Sequence, residues 1–335
     1  MRKLTLIILG TILLFGLPGF ALDAVDVLAR SLSDWSATDY VGEKTLIMYN
    51  GSNAEALEML ITYQAEGVSR TDYLSPPSMR DRIIIDDGGS LYSYDPHLDI
   101  TVCSPSPQRL SLSLSLSERK ELIAANYTVS LETGFSIAGR DAYRLKVFSN
   151  DNFTPRRIIL VDAENYLPLS SKEEFAHSAV TSSFSWIEFN NTVDDDIFDA
   201  ESLGAPIVEE SAPSRSISQI SLGEELAFTA LIAEELPGGF RLIDTMLTDS
   251  EDGSPATHLS YSDGIEGLSV FEEAELTHHI GREISLGSHK VYLSRSANYS
   301  VLQLTYRSLT ITLVGRLTRY GMFKIAAFFL NGEAD

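Results

Sequence analysis

Cysteine is almost absent from this 335-residue chain, in which Cys103 is the single example. One thiol forms no internal disulfide, so the fold must be held by packing alone. No cysteine lies near the end of the N-terminal apolar run, and this excludes the lipid anchor of a bacterial lipoprotein.

Basic residues are also scarce, with 25 Lys and Arg against 47 Asp and Glu and a net charge of −22 at pH 7. Loss of Arg2 and Lys3 with an N-terminal signal leaves 23 basic residues and a net charge of −24. Nucleic acids and anionic lipid head groups need a basic surface. The composition therefore argues against both as main partners and favours a basic protein or an uncharged apolar ligand.

Only one long apolar run is present, from Leu4 to Leu17. It follows Arg2 and Lys3 and precedes Pro18-Gly19-Phe20-Ala21, which is typical of a secretory signal cut after Ala21. A retained anchor is the alternative, because the run is nearly long enough to span a bilayer. The sequence predicts a signal peptide over residues 1–21 and a periplasmic or otherwise extracytoplasmic location.

Motifs for catalysis are missing as well: there is no Gly-x-Ser-x-Gly elbow, phosphate loop or His-Glu-x-x-His sequence. The neighbours His278 and His279 would point to opposite faces of a strand, so they do not predict a metal site. In Asp249–Gly253 the glycine falls one position too early for a calcium loop. We therefore predict no catalytic residues, no cofactor and no metal, and keep an unrecognised hydrolase only as a third hypothesis.

The pattern that is present is mainly that of β-strands. Val25, Leu28, Ala29, Leu32 and Trp35 recur at helical spacing, which predicts one amphipathic helix. From Tyr40 the period changes to two. We predict strands at 45–49, 59–64, 67–73, 81–85, 91–94, 139–147, 156–161, 169–175 and 182–189.

Leu110 to Leu116 alternates leucine and serine. We favour a strand with one leucine face there, and a mobile apolar flap is the alternative. So many strands after a single helix predict an α+β, mainly β fold built on a large curved antiparallel sheet. Such a sheet curls or closes, so we expect an unclosed half-barrel with helices on its concave side.

The composition shifts between residues 194 and 222, where acidic, Pro and Ser residues replace the apolar period. We predict an N-terminal domain over 22–200, a linker over 201–222 and a smaller C-terminal α+β domain over 223–335. In the latter we predict helices at 226–236 and 320–330. Its strands are predicted at 240–247, 258–262, 268–273, 290–294, 302–307 and 309–315.

A curved sheet too large for one helix to fill leaves an apolar cavity, which suits a lipid-like ligand. Ordinary hydrophobic core is the alternative for each single residue. The candidate inward positions are Ile83, Ile85, Leu91, Tyr143, Leu145, Val147, Ile159 and Val161.

Three C-terminal segments carry a resemblance to a known family. They are Leu236-Pro-Gly-Gly-Phe-Arg-Leu-Ile243, the hairpin His258-Leu-Ser-Tyr-Ser-Asp-Gly264 with Leu268–Phe271, and Ile311-Thr-Leu-Val-Gly-Arg-Leu317. In this order they resemble the C-terminal module of the RseB/MucB family, periplasmic regulators of the envelope-stress sigma factor. Residues 162–169 are similar to a hairpin in that family's N-terminal domain, which is itself similar to lipoprotein carriers of the LolA type.

The resemblance implies a fold and a role. The fold is a LolA-like half-barrel joined by a linker to a smaller domain. The role is to bind the periplasmic domain of a membrane-spanning anti-sigma factor and to protect it from proteolysis until a lipid-like stress signal displaces it. The alternative from the same resemblance is a lipid or lipoprotein carrier of the LolA/LolB type.

Overall fold

The computed structural model of the chain describes residues 22–33, 37–65, 67–106, 114–176, 178–191, 193–209, 215–250, 253–274, 279–296 and 299–332. The signal predicted for residues 1–21 lies outside these ranges. So do Trp35, His278 and residues 107–113 of the Leu/Ser segment.

Twelve strands of the described chain form one sheet. They are β1 Tyr40–Asn50, β2 Asn53–Gln64, β3 Val68–Ser75, β4 Ile83–Asp86, β5 Ser90–Asp95, β6 Ile100–Pro105, β7 Tyr127–Ile137, β8 Arg140–Ser149, β9 Arg156–Asp162, β10 Pro168–Glu174, β11 Ser178–Phe189 and β12 Ile207–Glu209. The spatial order is β12-β6-β5-β4-β3-β2-β1-β11-β10-β9-β8-β7. Neighbours are antiparallel except that β12 runs parallel to β6. The end strands β12 and β7 do not pair with each other, so the sheet is unclosed, as predicted.

Two helices cover one face of this sheet, which we call the inner face. Helix α1 (Ala24–Ser31) begins at the N-cap Asp23, whose carboxylate accepts from the backbone N–H of Val25 at 3.0 Å. Helix α2 (Leu116–Asn126) begins with a capping box between Ser115 and Glu118. Both helices pack over β7, β8 and β9.

The chain then crosses the opposite, outer face of the sheet. Two short 3-10 helices, Asp195–Phe198 and Ala200–Leu203, follow β11. Arg70 on β3 donates to the Ile197 carbonyl at 2.8 Å and holds the first of them to the sheet. The predicted linker 201–222 thus includes β12, which pairs with β6, together with strand β13 (Arg215–Ser216) and part of helix α3 (Gln219–Glu225).

Nine further strands form a second sheet. They are β13 Arg215–Ser216, β14 Glu235–Leu236, β15 Phe240–Asp249, β16 Pro255–Ser262, β17 Gly267–Ala274, β18 Arg282–Leu286, β19 His289–Arg295, β20 Ser300–Tyr306 and β21 Leu309–Gly315. Helix α3 spans Gln219–Glu225 and helix α4 spans Arg319–Leu330. Met322, Ile325 and Phe329 of α4 are fully buried in one cluster with the core side chains of this sheet.

Several predicted elements need correction. The helix predicted at 226–236 is wrong, because α3 ends at Glu225 and residues 226–234 run irregularly before β14. Side chains of the sheet hold that irregular segment: Glu272 accepts from the Leu231 N–H at 2.9 Å, and Tyr261 donates to the Ala233 carbonyl at 3.0 Å. The apolar spacing there reflects contact with the core rather than a helix.

The end of the Leu/Ser segment also differs from the favoured strand, because Ser115 is an N-cap and Leu116 opens α2. The sequence patterns do not predict strands β6, β7, β12, β13, β14 or β18. Among the described helices none is both long and apolar enough to cross a membrane.

Candidate functional site

The eight predicted cavity residues do not form one surface. Four of them, Leu145, Val147, Ile159 and Val161, lie on the inner face of β8 and β9. Each is at most 6% exposed, in one cluster with Val27 and Leu28 of α1 and Ile123 of α2. Tyr143 packs against the edge of the same cluster. In this part of the sheet the molecule's own helices occupy the inner face.

The other three predicted residues lie farther round the sheet, on β4 and β5, and on different faces. Leu91 is paired with Asp86, so it lies on the face opposite to Ile85, the next residue along β4. The register carries Leu91 to the inner face. Ile83 and Ile85 share the outer face with Arg70, which pairs with Ile85 and donates to the segment crossing that face.

The inner face between these two regions carries a group of apolar side chains that are only partly covered. Following the register from β1 outward, residues opposite each other share a face. The half-buried apolar side chains of this stretch, which we call the inner hollow, are Leu46, Met48, Leu57, Tyr73 and Ile84. A series of side chains of this kind suits an acyl chain better than water.

One end of the inner hollow is bounded by aromatic rings. Tyr40 stacks on Tyr63 with centroids 5.2 Å apart and meets Phe184 edge-on at 5.9 Å. These rings form a buried cluster with Leu167 and Leu169. Burial raises the pKa of the Tyr40 hydroxyl well above its ordinary value, so this ring stays neutral.

A second candidate site is the junction, by which we mean the contacts between α2 and the turn Asp263–Glu266 of the β16–β17 hairpin. Arg119 of α2 donates to the Gly264 carbonyl at 3.2 Å, and Asn126 donates to the Asp263 carbonyl at 3.0 Å. The hairpin predicted from the sequence is confirmed, and its turn is the part that meets the first sheet.

Gly264 is required at the junction for two reasons. Its φ of +101° lies in a region that L side chains rarely adopt. A Cβ there would lie 2.8 Å from the Leu122 Cβ and 2.9 Å from the Ile123 backbone nitrogen. The missing side chain lets the turn approach the backbone of α2.

Charged groups are buried beside this contact. Arg157 on β9 pairs with Glu266 of the hairpin turn, and its Nε lies 3.4 Å from the Oε1 of Glu173 on β10. Arg316, which follows β21, also pairs with Glu173. These side chains therefore link the two sheets by a chain of alternating charges. Buried pairs of this kind contribute little net stability but are costly to break.

Asp263 is the centre of the junction. Its carboxylate accepts from the Tyr127 hydroxyl and from the backbone N–H groups of Ile265 and Glu266, at 3.0 and 2.8 Å. Burial raises the pKa of Asp263 to about 6, against the opposing effects of these donors and of Arg157. Burial, and then the Asp263 charge, raise the pKa of Tyr127 well above its ordinary range, so Tyr127 remains a donor.

The sequence carries one local signal for this site. Ser115-x-x-Glu118 has the spacing of a capping box and marks the start of α2. Helix α2 contributes Ile123 to the core beneath it and Arg119, Leu122 and Asn126 to the junction.

A groove of about 520 Å³ lies beside α1 and α2. Its lining is mainly apolar and includes Val25, Leu116 and Ala124.

Comparison with known proteins gives one family and one fold. The model of the MucB/RseB N-terminal domain matches residues 23–198. A search of the curated proteins gives no match.

Three solved structures share the fold along nearly the whole chain. The complex of Pseudomonas aeruginosa MucA and MucB aligns with a TM-score of 0.60 and 19% identity over 91% of this chain and 97% of that one. MucB in complex with MucA(peri) has a TM-score of 0.54 and 20% identity, over 91% and 97%. MucB alone has 0.55 and 19%, over 92% and 98%.

Proposed function

Because this chain belongs to the MucB/RseB family, we propose that it is an extracytoplasmic, non-enzymatic regulator that binds the periplasmic domain of an anti-sigma factor. The observation that carries the proposal is the family match over the first sheet, together with a fold shared with MucB along nearly the whole chain. The solved relatives include MucB bound to MucA, which supports a protein partner rather than a substrate.

The second part of the proposal is a lipid-like signal that binds to the inner face of residues 22–200. It is supported by the half-buried apolar side chains of the inner hollow. Of the predicted set we keep Leu91 as a candidate contact, because Leu145, Val147, Ile159 and Val161 lie buried in one cluster with residues of α1 and α2. Residues 223–335 would then respond to ligand binding in residues 22–200 through the junction.

Purification of the mature chain from its native envelope under gentle conditions tests both parts. We expect a single-span membrane protein and an acyl lipid to co-purify, and each to be identified by mass spectrometry. A neighbouring gene pair for a sigma factor and a single-span protein would name the partner, whose periplasmic segment can be titrated calorimetrically. Recovery of neither protein nor lipid, together with no heat of binding, would refute the proposal.

A lipid or lipoprotein carrier of the LolA/LolB type is the second candidate. The same partly covered inner face favours it, since a carrier needs only a cavity. Transfer of bound lipid between vesicles by the purified chain, without any protein partner, would support this candidate over regulation.

A further inference from the structure

Lys44 lies inside the apolar inner face, where a lysine is unexpected. On β1 it is opposite Phe184 of β11 and Met59 of β2, and both of these side chains are buried. Leu46, the next residue of β1 on this face, begins the inner hollow. The Lys44 side chain therefore stands where the aromatic end meets the apolar hollow.

The ammonium of Lys44 has an aromatic neighbour. Its Nζ lies 4.9 Å from the centroid of the Phe184 ring, within the range of a cation–π interaction. Among the described residues no Asp or Glu forms an ion pair with it. Burial lowers the pKa of Lys44 below its ordinary value.

Two carboxylates near Lys44 in the sequence and two on the inner face are directed elsewhere. Glu43 lies on the outer face and accepts from the Trp186 Nε1 at 3.3 Å. Glu58 is opposite Thr45, also on the outer face. On the inner face, Asp86 accepts from Ser106 at 3.0 Å, and Glu173 is paired with arginines.

The position of the ring that holds the ammonium is fixed by Gly42. A Cβ at residue 42 would lie 2.9 Å from a ring carbon of Phe184 and 2.8 Å from the Trp186 carbonyl oxygen. Glycine at this point lets the Phe184 ring lie against the backbone of β1. The ring and the ammonium are thus placed by two residues of one strand, Gly42 and Lys44.

Lys44 is half-buried and has no ion-pair partner among the described residues, so an anion that binds beside it would offset the cost of removing its charge from water. From this geometry we propose that the inner hollow binds a single-chain anionic amphiphile of the fatty-acid class, with its carboxylate at the Lys44 ammonium and its acyl chain along Leu46, Met48, Leu57 and Tyr73. This inference rests on the proposed lipid-like signal and adds the charge of the ligand's head group.

The strongly acidic composition does not oppose such a ligand. A net charge of −24 repels an anionic bilayer as an extended surface. For a single head group inside the hollow, the attraction of the Lys44 ammonium outweighs this repulsion. Distant surface charges are screened within about 8 Å at physiological ionic strength.

The test compares three probes on the full mature chain: oleate, oleyl alcohol with the same chain but no charge, and acetate with the charge but no chain. Each competes with a fluorescent acyl probe below its aggregation concentration. We expect oleate to bind at least tenfold tighter than oleyl alcohol, and acetate not to compete. Competition by acetate alone would instead mean a small-anion site and would overturn the proposal.

The Lys44→Met variant should bind oleate and oleyl alcohol about equally, whereas Lys44→Arg should keep the preference for oleate. Lys120→Met is the matched control, because Lys120 lies on α2 and pairs with Asp26 at 2.9 Å. It should behave as the wild type. Circular dichroism of each variant confirms that the fold is intact.

The outcomes separate this inference from the proposed function. Equal binding of oleate and oleyl alcohol by the wild type, or an unchanged preference in Lys44→Met, overturns the role of Lys44 and leaves the lipid signal standing. Binding of neither probe removes the lipid signal as well.

Discussion

The Tyr127 hydroxyl of β7 donates a short hydrogen bond to the Asp263 carboxylate in the hairpin turn of the second sheet. Both groups are buried, and Thr154 lies 3.1 Å from the same hydroxyl. Tyr127 also belongs to the core that α1 and α2 form on the inner face. A single side chain therefore joins the core of the first sheet to the junction.

Removal of that hydroxyl should weaken the junction. In Tyr127→Phe the Asp263 carboxylate loses a donor while it stays buried, which costs about 1–3 kcal/mol. The free energy of unfolding, measured with urea, should fall by this amount. The control is Tyr320→Phe, since Tyr320 is half exposed and its ring packs on Phe153. An equal change in both variants would show that the hydrogen bond is not the cause.

The stability of the junction should depend on pH through Asp263. Its pKa is raised to about 6 in the folded protein, above the ordinary value of 3.8. The folded state therefore binds the extra proton, so the contribution of Asp263 is complete below pH 4 and is lost as the pH rises through 6.

The difference in unfolding free energy between wild type and Asp263→Asn, measured from pH 4 to 7.5, isolates this effect. Over this range the wild type should lose about 2 kcal/mol relative to Asp263→Asn, since each pKa unit is worth about 1.4 kcal/mol and part of the full effect falls below pH 4. Two other buried groups titrate in this range, Glu272 with a pKa of about 7 and His258 with a pKa of about 4. Both are present in each protein and cancel. A difference that is flat with pH would contradict the prediction.

The close approach at Gly264 is open to a direct test. Gly264→Ala should separate the hairpin turn from α2, since its Cβ would overlap Leu122 and the Ile123 nitrogen. Gly287→Ala is the matched control, because Gly287 also has a positive φ of 60° but nothing within 4 Å of a Cβ. Backbone strain in a positive-φ residue costs about 1–2 kcal/mol.

Hydrogen exchange of the α2 amides reports the contact. Only Gly264→Ala should speed exchange at Leu122 and Ile123. Comparable exchange in both alanine variants would mean that strain rather than overlap governs the effect.

Leu145 should contribute to stability rather than to ligand contact. It is completely buried beneath the helices, so Leu145→Ala should destabilise the protein by about 2–5 kcal/mol. Leu160→Ala is the control on the neighbouring strand, because Leu160 faces outward and is half-buried. Leu160→Ala should lower the thermal unfolding midpoint by less than half as much as Leu145→Ala does. A Leu145→Ala protein that keeps its stability and loses acyl-probe binding would return this residue to the ligand site.

The sequence predicted most strands because alternation is a local property of the chain. It failed for α2, in which charged residues interrupt the apolar spacing between Leu116 and Leu122. It could not assign Ile83 and Ile85 to a face either. Which face of β4 is the inner one depends on its register with β3 and β5, and the sequence of β4 alone does not determine that register.

What the sequence determined by itself is the alternation that builds two mainly antiparallel sheets, the hairpin around Asp263 and the family resemblance, since each depends on neighbouring residues. Only the tertiary structure decided that the hairpin turn packs on α2, that four predicted cavity residues lie in a core cluster, and that Lys44 has no ion-pair partner among the described residues. The physical reason is that burial and charge pairing depend on which distant strands meet. From the sequence alone, a strand lysine that lies on an apolar inner face looks the same as one that faces water.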